Sequence, residues 1–144
     1  MPFNTRLQAL LAAMWAGMLL AIGGMAAPSL FAVLDRSLAG LAAGRLFALE
    51  AYVSLLMAMV LFFFERQRTR QPGQSVMSTE LLLIMGALFA TVLGHFALSP
   101  MIVAAKAGLP GKLSFGTLHA MSSGLFLVKG LVVLALAWRL TGRR

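Results

Sequence analysis

The sequence predicts an all-α membrane protein, a four-transmembrane-helix bundle with short joints in which residues 1–144 form a single transmembrane domain. Four apolar runs are each long enough to cross a bilayer, and the basic residues gather in the segments that alternate joints place on one side. Composition agrees: 60% of residues are hydrophobic and only 11% charged, with a mean hydropathy of +0.91. Soluble domains carry far more charge. Each run is too long for a core strand, and Val and Ile are scarce beside Leu, Ala, Met and Phe, so helix is the expected form of every span.

The first span is expected over residues 7–34, where the chain is free of charge from Leu7 to Leu34. A cleaved signal peptide is the alternative there, since Arg6 precedes the apolar run and Gly24-Met25-Ala26-Ala27 is rich in small residues. The run continues past that point and Pro28 sits beside it, which favours a span. The second span, 46–64, carries one acid, Glu50. The third, 81–98, meets Ser99-Pro100, after which a short outer helix is expected from Pro100 to Ala107. The fourth, 115–138, carries His119 and Lys129.

The joints have their own chemistry. The stretch Arg66 to Ser75 is polar and basic with a Pro72-Gly73 turn signal; Ser78 then offers an N-cap with Glu80 in the following turn, and Ser114 offers one to the fourth span. With four spans, Arg6, Arg66, Arg68, Arg70, Arg139, Arg143 and Arg144 share one side, seven against the four of Arg36, Arg45, Lys106 and Lys112. Positive-inside logic places both termini in the cytoplasm of a bacterial-type inner membrane. The net charge of +8 flanks apolar runs without interleaved aromatics, so anionic lipid headgroups, not nucleic acid, are the expected partner. Other membrane proteins or a second copy are further candidate partners. Small residues recur every fourth position at Ala9, Ala13, Gly17 and Ala21, at Gly86, Ala90 and Gly94, and at Gly116, Ala120 and Gly124, which predicts close helix packing.

Polar residues inside the spans are the candidate site, because charge in a bilayer costs roughly 2.5 to 3.5 kcal/mol per group on insertion scales and calls for a partner or a wet cavity. Glu50, His95 and His119 fall in the outer half of the bundle, Ser122 and Ser123 follow His119 by about one turn, and Thr91 precedes His95 by one turn. From span ends at Leu98 and Phe115, both histidines lie roughly 5 Å deep and face one another across a hairpin, with Glu50 roughly 9 Å deep. They make either hydrogen-bonding glue between helices or part of a metal site. Lys129, near the middle of the fourth span, either snorkels toward the cytoplasm or pairs with Glu50, from which it is separated axially by roughly 10 Å at helical rise. Met14, Met18, Met25 and Met121 invite copper(I), although Met more often fills gaps between helices. With no cysteine, disulfides, thiolate metal sites and Cys nucleophiles are excluded, and no phosphate loop or nucleophile elbow is present.

Trp15-Ala16-Gly17, Ala27-Pro28-Ser29-Leu30-Phe31, Gly44-Arg45-Leu46-Phe47, Leu98-Ser99-Pro100, and Phe115-Gly116-Thr117-Leu118-His119 followed by Ser122-Ser123 together resemble the transmembrane-protein-205-like family of small four-helix membrane proteins. That family is largely uncharacterised, so the resemblance implies architecture more than activity. The chain is also distantly similar to four-helix haem and copper-resistance membrane families that share a Trp-x-Gly first helix. Those haem proteins carry a histidine early in that helix, where this chain has Leu10 and Leu11. The expected function is that of a small polytopic inner-membrane protein, a non-enzymatic accessory or scaffold with a polar site and no favoured cofactor. The alternatives are a haem- or copper-type redox or metal-handling protein using His95 and His119, and a small dimeric transporter.

Overall fold

The structure, a computed structural model, describes residues 3–142. Four helices long and apolar enough to cross a membrane account for nearly all of it: α1 Phe3–Val33, α2 Arg36–Thr69, α3 Thr79–Lys106 and α4 Phe115–Thr141. The neighbouring pairs α1–α2, α2–α3, α3–α4 and α4–α1 pack side by side, so α2 and α4 face one another across a diagonal. The first and last described residues and the 70–78 loop lie at one end, called here the terminal end. Arg143 and Arg144, counted in the charge bias, lie outside the described residues.

Helix boundaries run well past the apolar stretches. α2 starts at Arg36, ten residues before the expected Leu46, and only Leu34 and Asp35 separate it from α1. Hydropathy registers where a helix meets lipid, and the Ala- and Gly-rich turns between Arg36 and Arg45 are helical outside that zone. At 34 residues the helix is about 51 Å long against a hydrocarbon core of about 30 Å. At its other end α2 absorbs Arg66, Arg68 and Thr69, expected as loop. Cations in a last turn complement the helix dipole, and the Thr69 hydroxyl donates to the Arg66 carbonyl at 3.2 Å. The remaining loop turns at Gly73, whose φ of 82° suits glycine.

The break expected at Pro100 does not occur, and the first span runs through Pro28 as expected. Neither Pro28 nor Pro100 ends its helix; each is preceded by a wider π-helical segment, Ile22–Ala26 in α1 and Val92–Ala97 in α3. Proline lacks an N–H and its ring crowds the carbonyl four residues back, Gly24 and Phe96 here, both within the widened segments. The shift to five-residue hydrogen bonding is direct: Ala27 N–H donates to the Ile22 carbonyl, and Leu98 N–H reaches the Leu93 carbonyl. α3 therefore continues through Pro100 to Lys106, and no separate outer helix forms. Ser78 and Ser114 cap as expected, accepting from Leu81 N–H at 3.1 Å and Thr117 N–H at 3.2 Å.

The apolar core occupies the terminal half of the bundle. Trp15 and Leu19 of α1, Leu61 of α2, Ile84 of α3 and Val133, Leu136 and Leu140 of α4 pack there with small residues between them. The small-residue ladders divide differently from expectation. In α3, Gly86 and Gly94 lie against Val132 and Leu125 of α4, so that ladder packs. In α1 the buried small residues are Ala9, Ala12 and Ala16, while Ala13, Gly17 and Ala21 face outward. Turning Trp15 inward sets this rotation, since the residues one turn before and beside it then share its face. Gly116, Ala120 and Gly124 of α4 also face outward.

Candidate functional site

At the inner limit of the core, the ammonium of Lys129 (α4) donates to both carboxylate oxygens of Glu50 (α2), at 2.7 and 2.9 Å. Lys129 and Glu50 are 4% and 3% exposed, so this is a bidentate ion pair taken out of water. It spans the bundle diagonal and is built from parallel helices with matched register: Glu50 follows Arg36 by fourteen residues and Lys129 follows Phe115 by fourteen. The axial gap expected between them vanishes because α2 begins ten residues earlier than the apolar run does.

The pair is part of a longer chain of donors. Ser54, one turn after Glu50 and fully buried, donates its hydroxyl to the carboxylate; the Trp15 indole N–H donates to the Ser54 oxygen at 2.8 Å. Three helices are tied through one carboxylate, and every buried side-chain nitrogen and oxygen among the described residues has a partner. Phe126, one turn before Lys129, lies under its ammonium at 5.1 Å from the ring centroid and meets Phe47 edge-on at 5.1 Å. Gly23, in the π-helical segment of α1, approaches the same ring so closely that an added Cβ would stand 2.6 Å from its Cε1. Phe126 also packs against the apolar core, so the ring joins the charges to it.

The histidines do not join this arrangement or each other. His95 is half-buried and makes edge contacts with Tyr52 of α2 (5.9 Å) and with Phe96 (4.9 Å). His119 is exposed and stacks on Phe115, centroids 5.8 Å apart. Continuation of α3 through Pro100 is the reason. His95 stands eleven residues before Lys106, where α3 ends, whereas His119 stands four after Phe115, roughly 16 Å against 6 Å at helical rise. Ser122 is half-buried and Ser123 exposed, both on α4 between His119 and Lys129. Thr91 spends its hydroxyl on the Ala87 carbonyl of its own helix, at 2.9 Å. Among the described residues no group of three His, Cys, Asp or Glu side chains could hold a metal ion. The two imidazoles have different neighbours, and Glu50 is already engaged by Lys129 and Ser54.

A second polar cluster, at the terminal end, went unread in the sequence. Glu65 is 1% exposed and bridged by Arg68 one turn on, at 2.6 Å. Ser78, which caps α3, also donates to Glu65, so one hydroxyl links the end of α2 to the start of α3. Glu80 accepts from Arg139 of α4 at 3.1 Å. Glu65 lies between the expected span end at Phe64 and the polar stretch that begins at Arg66, and so belonged to neither.

Four apolar helices closed by internal ion pairs define a helical, multi-pass integral membrane protein. Residues 10–109 match the domain of unknown function DUF4149, and the chain belongs to that family. No curated protein and no solved structure matches it.

Proposed function

We propose that this chain is a non-enzymatic accessory or scaffold protein of a bacterial-type inner membrane, with both termini in the cytoplasm. One observation carries the reading: the buried polar groups are used up on one another. Glu50 accepts from Lys129 and Ser54, Ser54 accepts from Trp15, and no buried side-chain nitrogen or oxygen among the described residues is without a protein partner. A catalytic or transport site in a membrane keeps a polar group facing a cavity or path, whereas this network is closed. The basic bias of the sequence supports the orientation. Kinship with transmembrane-protein-205-like proteins belongs to the same proposal; its most specific residues, Phe115 to Ser123, lie beyond the matched stretch.

Complementation of a deletion strain tests it. Glu50→Gln with Lys129→Met removes both charges while roughly keeping volume. A scaffold whose pair serves packing retains its cellular phenotype and its associations once the protein accumulates in the membrane. Loss of the phenotype at normal protein level would show that the charges themselves perform the function.

A further inference from the structure

The carboxylates at the terminal end sort its arginines into two sets. Glu65 takes Arg68 and Glu80 takes Arg139, while Arg66 and Arg70, on either side of Arg68, bridge no carboxylate among the described residues. Helical spacing explains the split: Arg68 turns toward the buried face of α2, whereas Arg66 and Arg70 stack one turn apart on another face. With Phe62, Phe63 and Gln67 they line an open groove of about 260 Å3 at the end of the apolar run. Phe62 and Phe63 meet edge to face, centroids 6.4 Å apart, on the side of the groove toward the span. Arg66 is steadied from the loop, where one of its guanidinium nitrogens donates to the Val76 carbonyl at 3.4 Å. Its remaining donors are uncommitted.

We propose that this groove binds the phosphate of an anionic phospholipid headgroup, held by Arg66 and Arg70, with the two phenyl rings against the glycerol and first acyl carbons. Guanidinium forks match phosphate oxygens bidentately, and aromatic rings sit well at the level where headgroups meet hydrocarbon. Phe62 packs partly against the apolar core while Phe63 is exposed beside the two arginines, and a merely solvated basic face would not need an exposed phenyl ring at that place. The site does not depend on which side of the membrane the terminal end faces, nor on the scaffold reading, so each can fail alone.

Native mass spectrometry of the full chain, released from micelles containing phosphatidylglycerol and phosphatidylcholine in equal amounts, tests it. The wild type should retain phosphatidylglycerol preferentially, and Arg66→Gln with Arg70→Gln should weaken that retention on the order of tenfold or more, as two interfacial arginines warrant. Arg36→Gln with Arg45→Gln, an equal loss of charge from exposed positions at the other end, should leave it unchanged. Millimolar inorganic phosphate should not compete. Equal retention by the Arg66/Arg70 variant, an equal loss in the Arg36/Arg45 control, or displacement by inorganic phosphate, which would mark a free-phosphate site, would each overturn the proposal.

Discussion

Lys129 and Glu50 meet across the diagonal of the bundle, ammonium to both carboxylate oxygens at 2.7 and 2.9 Å, beside the edge-on contact of Phe47 with Phe126 between the same two helices. Because both groups are almost wholly buried, removing one leaves an uncompensated charge with no water to receive it. Glu50→Gln and Lys129→Met alone should each cost about 3 to 5 kcal/mol of stability, and the double variant much less than the sum. Thermal unfolding in detergent measures all three. Simple additivity would mean that the charges are not coupled.

Ser54 holds an intermediate place in the same chain, so its loss has two victims. Ser54→Ala strands the Trp15 indole N–H and takes one donor from the Glu50 carboxylate; about 1 to 3 kcal/mol of destabilisation is expected for each buried group left unsatisfied. Trp15→Phe removes the indole donor itself and leaves Ser54 still bonded to Glu50, so it should cost less than Ser54→Ala. The reverse order would show that Trp15 contributes mainly by filling space.

Much of this was legible in the residues and some was not, for physical reasons. Span number follows from hydropathy alone, because four runs of lipid-compatible length leave no other class. The helix ends do not, since apolarity marks contact with lipid and helices such as α2 persist in polar surroundings. From that one error follows the misjudged depth of Glu50, set ten residues too near its helix start. Pro100 misled in the opposite direction: a helix interior rejects proline only while its hydrogen bonding stays regular, and the widened turn before it accommodates the ring. Glu50 and Lys129 stood out as the opposite charges within the expected spans. Their partners did not. Ser54 is one turn from Glu50, a spacing that signals proximity, but nothing in the sequence fixes the rotation of α1 that brings Trp15 to it.

His95 and His119 contact different rings on different faces, and their substitutions should act independently. His95→Leu disturbs the edge contacts with Tyr52 and Phe96, while His119→Leu touches only the exposed stack on Phe115. Unfolding midpoints of the two single variants and the double variant should combine within about 0.5 kcal/mol of additivity. A larger coupling would restore a shared role for the pair.

Topology reporters give a direct reading of orientation. Fusions after Arg70, in the loop at the terminal end, should report cytoplasm, and fusions after Lys106, at the far end of α3, should report the opposite compartment. The same experiment locates the Glu65–Arg68 and Glu80–Arg139 bridges with respect to the membrane, since both lie at the end that carries Arg70. Inverted signals would place those bridges, and both termini, outside.

Gly23 supplies the sharpest packing test. A Cβ there would stand 2.6 Å from Cε1 of Phe126, a separation that no carbon pair tolerates, and the ring has little freedom to retreat because Phe47 meets it edge-on and Lys129 lies over its face. Gly23→Ala must therefore push Phe126 toward the ion pair or push α1 away from α4. Overpacking of this kind costs about 1 to 3 kcal/mol. The neighbouring Gly24, in the same π-helical segment, has nothing within 4 Å of its added Cβ, and Gly17 is equally open. Alanine at either position should be neutral or slightly stabilising, as expected from helix propensity when no clash intervenes. Unfolding midpoints of the three alanine variants separate a steric demand from a general need for flexible residues in the widened turn. If Gly24→Ala destabilises as much as Gly23→Ala, the backbone of that turn, not the approach of Phe126, requires glycine.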